Sequence, residues 1–245
     1  MTSTSRPLLF LGASTSFLEI RQIIDDINRV ELRHEVVGLL DDDPRRHGTA
    51  VDGVPVLGPL ELARDHPEAD LVFGIGSHRT RLVRHRIIDR LEIPDERFIS
   101  LIHPDATVYP SARVGPGSVV HSGVVVGNDV VLEGFNVVTF GALLGPWVRL
   151  GRYAMVSSLA ILLTRVAVGR SAFIGAGASV IDGVRIGPGA LVGMASAVFR
   201  DVDPGSVVVG NPAKVASREA VPPELLQTWS APADPTAAHD DGGST

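Results

Sequence analysis

The chain has 245 residues, enough for one large domain or two modest ones around a sizeable core. With 44% hydrophobic and 20% charged residues it reads as a soluble globular protein, and a net charge of −6 argues against both a nucleic-acid footprint and an anionic membrane surface. Aromatics are scarce at 5%, the 26 glycines favour short strands and turns, and the absence of cysteine excludes disulfides, thiolate nucleophiles and zinc–thiolate sites.

The start, MTSTSRPLLFLGAS, carries one Arg and only a short apolar run. That is too short for a signal peptide or a membrane span, so a cytoplasmic location is expected. PLLFLGAST predicts a buried strand ending at Gly12. FLEIRQIIDDINRV then predicts a helix, with Leu18, Ile20, Ile23, Ile24 and Ile27 at helical spacing. HEVVGLLDDD predicts a second strand running into Asp41–Asp43. VDGVPVLGPLELARDH predicts a turn and a short helix, and DLVFGIGSHRTRLVRHRIID a third strand, a glycine turn and an Arg-rich helix. This alternation implies a parallel sheet with crossover helices, over an α/β domain of residues 1–100. Ligands of such sheets sit outside the carboxyl ends of the strands, which places Gly12, Asp41, Asp42 and Gly76 at the candidate edge. LGAST lacks the full G-x-G-x-x-G spacing, so a dinucleotide site is weakly supported. The carboxylates read equally well as a solvated strand end or as a grip on ribose or base hydroxyls.

From Ile102 to Val198 every sixth residue is aliphatic, through Val120, Val138, Val156, Ile174 and Val192. Small or β-branched residues stand two places before many of them, as at Ala142, Ala154, Ala160 and Ala172. Glycine often follows, as at Gly115, Gly127, Gly145 and Gly175. This is the hexapeptide repeat of a parallel β-helix, in which three hexads close a triangular coil of about 18 residues. Each aliphatic side chain points inward and stacks on its equivalent one coil away, about 4.8 Å along the axis. The register is expected to end at Pro204, the helix domain to span 101–215, and residues 216–245 to form a flexible tail.

An α/β domain, then IHPDATVYPSARVGPGSVV, a hexapeptide helix and a closing VGNPAKV resemble one family. The chain looks like the hexapeptide-repeat acyltransferases of left-handed β-helix fold that N-acetylate nucleotide-linked amino sugars or O-acetylate sialic acid. The resemblance implies a homotrimer, with acetyl-CoA or another acyl-CoA in the groove between two helices and no metal. It implies a nucleotide-sugar held at Gly12, Ala13, Asp41 and Asp42. It also implies pantetheine contacts at Gly175, Ala176, Gly177 and Gly193, with Gly210, Asn211, Pro212, Ala213 and Lys214 near the adenine end. A histidine base would take the acceptor's proton as it attacks the thioester.

At that base the chain departs from the pattern. By hexad position the family's Glu-His pair falls on Gly145 and Pro146, beside Trp147. A second histidine falls on Met155, and an Asn on Thr139, next to Phe140. None of these histidine positions holds a proton acceptor. His103 and His121 are the helix's own histidines. His121, one coil below Thr139 and two below Ser157 on the same edge of the prism, is the candidate displaced base. A zinc site of carbonic-anhydrase type needs three convergent histidines, which two separated ones do not supply. Two functions follow from the sequence: an acyl-CoA-dependent sugar acyltransferase, or a non-catalytic relative that binds the same ligands or scaffolds a partner.

Overall fold

The computed structural model describes residues 5–226. Strand β1 (Arg6–Leu11) lies between β2 (His34–Leu40) and β5 (Asp70–Phe73) and pairs in parallel with both. Helix α1 (Thr15–Val30) crosses over between β1 and β2 and buries Phe17, Ile20, Ile23 and Ile24 against the sheet. Leu18, expected on that face, is 47% exposed, because Phe17 takes the inward place.

The stretch expected to hold only a turn and a short helix also carries a hairpin. Strands β3 (Ala50–Val51) and β4 (Val54–Gly58) pair antiparallel around Asp52–Gly53 before the 3-10 turn at Leu60–Arg64. The alternation that makes β4 a strand is plain in its burial: Val54 and Val56 point in, Pro55 and Leu57 out. The sheet order is β3-β4-β2-β1-β5, and α2 (Arg84–Leu91) follows β5.

From Leu101–Ile102 onward, two-residue rungs stack into three parallel faces. The domain face (Val119–Val120, Val137–Val138, Met155–Val156, Phe173–Ile174, Leu191–Val192) packs against the α/β domain. The apolar face runs through Val125–Val126, Leu143–Leu144, Ile161–Leu162 and Ser179–Val180. The arginine face presents Arg113, Arg149 and Arg185 outward. The inward members from Val120 to Val198 are buried in one continuous column, with Ile102, Val108 and Val114 partly covered at its open end.

The register does not stop at Pro204. Val202 lies beside Ile186 and Val208 beside Val192, a separation of sixteen residues instead of eighteen, so the last coil is two residues shorter and still closes. Part of the expected tail is also built into the fold. Lys214–Arg218 pairs antiparallel with Ser206–Val209, and the short helix Pro223–Leu226 buries Leu225 completely. Glu219 meets Arg81 at 2.6 Å and Glu224 meets His85 at 3.1 Å, strapping the end of the β-helix to the α/β domain. A bond with its own backbone, with His85 and with Arg86 holds the Glu224 carboxyl down to about 2. The remainder of the tail lies outside the described residues.

The two domains share a core. Phe135 and Tyr153, from successive coils of one edge, stack at 5.3 Å between ring centres and join Phe73 and Phe98. Arg84 is fully buried there. Its Nε donates to the Ile75 carbonyl at 2.8 Å and its Nη1 to the Tyr153 carbonyl at 3.0 Å, tying the glycine loop after β5 to the helix. Burial lowers its pKa to about 10, which leaves it charged at neutral pH, against the faces of Phe73 and Tyr153.

Candidate active site

The strand ends of the α/β domain open onto a crevice of about 420 Å³ lined by Ala13, Ser14, Thr15, Leu18, Arg46 and Val51. Exposed Leu18 is thus part of its wall. The first turn of α1 faces this crevice, and Ser14 at its N-cap makes no side-chain capping bond, so backbone N–H groups remain for an anion. Gly12, just before the crevice residue Ala13, has φ +107°, and a Cβ there would stand 2.7 Å from Ile75, which only glycine avoids.

Both carboxylate oxygens of Asp41 are engaged by the backbone. Its Oδ2 accepts from the Ala13 backbone at 2.8 Å and its Oδ1 from Asp43 at 2.9 Å, clamping the ends of β1 and β2 together. Asp42 accepts from the Leu60 backbone at 3.1 Å and pairs with Arg90 at 2.6 Å. Gly76 lies apart from the crevice, against Arg84 and Met155. Arg46, which sequence reasoning missed, donates to the Ala13 carbonyl at the crevice wall. Its only signal was a basic pair just after the three aspartates.

On the β-helix the expected residues separate onto two edges flanking the apolar face. Thr139, Phe140, Gly175, Ala176, Gly177 and Gly193 occupy the edge between the domain and apolar faces, where successive coils stack. The register sets Thr139 one coil from Ser157 as counted, and its Oγ1 lies 3.1 Å from the neighbouring Ser158 Oγ. Gly175 is required by close approach: a Cβ would meet the Gly193–Met194 backbone at 2.6–2.7 Å. Gly210, Asn211, Pro212, Ala213 and Lys214 form the turn that closes the last coil, with the Ala213 N–H donating to Ala197 at 2.8 Å. Gly145, Pro146 and Trp147 lie on the opposite edge, between the apolar and arginine faces.

Met155 belongs to neither edge. It is 8% exposed on the domain face beneath Gly76 and, like the buried Tyr153, adds nothing to an exposed apolar strip. The strip consists of Leu143 and Ile161 on the apolar face, with Phe140 and Leu159 at one border and Leu163, Ile181 and Trp147 at the other, all more than a third exposed.

The setting of His121 also differs from expectation. The ring is 2% exposed, packs edge-on to Phe140 at 4.5 Å between centres, and its Nδ1 has no partner among the described residues. Burial, and secondarily the neighbouring His103, push it down to about 4. His103 is committed to structure: its Nδ1 accepts from the Asp105 backbone and its Nε2 donates to Asp26, both at 3.0 Å. A histidine sealed beneath Phe140 is not poised to receive a proton from a groove-bound acceptor, and a pH–rate limb near 6.5 is not expected from it.

The unfolded chain protonates His121 near 6.5 and the folded one near 4, so stability should fall as the pH drops across that window. His121→Gln is expected to remove this part of the acid sensitivity, read by denaturant unfolding at pH 7 and pH 4.5. Any acyl transfer should stay within about threefold of wild type, whereas losing a general base costs roughly 10²-fold or more.

No family model matches the chain, and no curated protein matches it by sequence. Solved structures do. PerB from Caulobacter crescentus, determined with CoA and GDP-perosamine, is 28% identical with a TM-score of 0.76, over 89% of this chain and all of PerB. The fold is that of the left-handed β-helix acetyltransferases. The acetyltransferase domain of PglB from Neisseria gonorrhoeae, also solved with acetyl coenzyme A, is 28% identical with a TM-score of 0.72, over 86% of this chain and all of that domain. WeeI from Acinetobacter baumannii shares the architecture at a TM-score of 0.70 and 22% identity. The likeness to PerB and to the PglB domain thus takes in the α/β domain as well as the β-helix. Among the described residues no helix is long and apolar enough to cross a membrane.

Proposed function

We propose that the protein is an acyl-CoA-dependent acyltransferase acting on an amino or hydroxyl group of a nucleotide-linked sugar in the cytoplasm. The observation that carries this reading is the two-domain match to PerB at 28% identity, which includes both the crevice domain and the coils beside the groove. The anion-ready start of α1 suits the nucleotide's phosphates, together with Gly12 and Ala13. The edge of Gly175–Gly177 and Gly193 suits a pantetheine arm laid along the coils, with Gly210–Lys214 at its far end. Asp41 and Asp42 shape the crevice through backbone bonds.

In the reaction the acceptor nitrogen attacks the thioester carbonyl, the C–N bond forms, the C–S bond breaks and the CoA thiolate leaves with the proton. A neutral amine needs a base least, and holding it against the thioester supplies much of the rate by itself. An amine is therefore the acceptor favoured by an edge that carries Gly145 and Pro146.

The two candidate edges border one apolar face and cannot meet within a single prism. Packing three copies through that face brings one copy's Pro146–Trp147 edge to the next copy's Phe140–Gly177 edge and covers the apolar face between them, leaving the groove at the edges open. A homotrimer is the expected result of light scattering, and a stable monomer would remove the shared groove.

Calorimetric titration with acetyl-CoA, followed by transfer assays on nucleotide-linked amino sugars, tests the function. Binding with turnover supports it. Binding without turnover makes the chain a non-catalytic relative, and no binding of any acyl-CoA ends the reading.

A further inference from the structure

The edge between the apolar and arginine faces carries a feature that the thioester chemistry does not use. One residue per coil there adopts a left-handed turn: Asp129, Trp147, Arg165 and Gly183, with φ between 55° and 71°. These four stack as a column about 4.8 Å per step. Trp147 is 38% exposed, and the Arg165 guanidinium lies over its ring, 5.0 Å from the centroid. The Arg165 side chain is exposed, and its guanidinium makes no hydrogen bond or ion pair among the described residues, although two carboxylates share its edge. Asp182 directs one oxygen to the Thr164 backbone at 2.8 Å, and Asp129 lies on the far side of Trp147. The next step beyond Arg165 is bare, since a Cβ on Gly183 would meet nothing within 4 Å.

A guanidinium stacked on an indole is held in place while its N–H fork stays available, and that fork matches the paired oxygens of a carboxylate or phosphate. The indole offers a flat apolar surface to the C–H face of a saturated ring. The open step at Gly183 gives the anion its approach on the side away from Asp129.

We infer that Trp147 and Arg165 form a subsite for an anionic sugar ring, the indole under the ring and the guanidinium on its carboxylate or phosphate. This rests on the reading of the adjoining groove as the acceptor site, and it makes the acceptor a sugar that carries negative charge on or beside the ring. Asp182 opposes the anion and therefore limits its affinity.

The test follows the indole N–H signals of the full-length protein by nuclear magnetic resonance. The chain has two tryptophans, so Trp147→Phe assigns the signal. Glucuronate, glucose 6-phosphate and glucose are the probes. The Trp147 signal is expected to shift saturably with an anionic sugar and not with glucose. A response to glucuronate alone assigns a carboxylate, and one to glucose 6-phosphate alone a phosphate. Arg165→Gln should weaken binding by at least about tenfold, Arg165→Lys should also weaken it because the planar fork is lost, and Asp182→Asn should tighten it. Equal shifts with glucose, or an Arg165→Gln variant that binds as well as wild type, would overturn the subsite. Acetyl-CoA binding, measured separately by calorimetry, should be unchanged in Arg165→Gln. Its absence in wild type would sink the transferase reading, while the sugar titration would still decide the subsite.

Discussion

Val156→Asp is expected to leave no cooperatively folded β-helix. Val156 is fully buried in the column, with Val138 one coil before it and Ile174 one coil after. The column is aliphatic, so a carboxylate there has no partner and either stays charged at great cost or takes up a proton at neutral pH. The defect also recurs in function along the axis, because each coil rests on its neighbours and a broken one uncouples the two sides. The expected loss exceeds about 4 kcal/mol, enough to remove most of a domain's stability. Circular dichroism and denaturant titration measure it. The control is Arg113→Asp, one place before inward Val114 and exposed on the arginine face, which should change stability by no more than about 0.5 kcal/mol. A normally folded Val156→Asp protein would mean that the inward register is misassigned.

The second large effect is a gain. Pro146→His should raise acyl transfer to an amine acceptor by roughly 10²-fold at neutral pH, the usual worth of a positioned general base. It should also introduce a pH–rate limb near the imidazole pKa of about 6.5. The backbone tolerates the change, because Asn128, Thr164 and Asp182 occupy the same place in neighbouring coils, so a polar side chain fits that turn. Pro146 itself is half-buried at the edge, and its carbonyl receives the Arg165 N–H at 3.0 Å, a bond that the substitution keeps. Adding Gly145→Glu is less favourable, because a Cβ at Gly145 would press on the Leu162–Thr164 backbone at 3.0–3.3 Å. If Pro146→His binds acetyl-CoA yet transfers no faster than wild type, the acceptor does not reach this edge.

Much of the β-helix was legible because its signal is local and repeated. Each inward aliphatic needs only its equivalents one coil away, so the rule that places Val120 also places Val138 and Val156, and a period of six survives any detail of the surroundings. The parallel α/β sheet was legible for a similar reason, through strand and helix periods read one element at a time. The β3–β4 hairpin was missed although Val54 and Val56 alternate with Pro55 and Leu57, because a strand of five residues containing proline and ending in glycine gives a weak local signal. The shortened last coil was hidden as well, since Val202 and Val208 break the period of six while still filling the column.

The candidate site was less legible, and the reason is physical. Counting hexads assigned Gly145, Pro146, Met155 and Thr139 to their coils, yet it carries no information about which faces another domain covers. Only the packed chain shows that Met155 and Tyr153 lie under the α/β domain while Trp147 stays open, that Phe140 closes over His121, and that Asp41 is consumed by backbone bonds across β1 and β2. Arg84 on Tyr153 and Glu224 on His85 join residues far apart in the chain, and no periodicity predicts such pairs. By itself the sequence determined the repeat, the order of the two domains and which coil carries Gly145, Pro146 and Met155, because these are properties of residue identity at a fixed spacing. Tertiary structure decided what is exposed, what is charged and which edges face one another, because burial and hydrogen bonding arise between elements that the spacing does not relate.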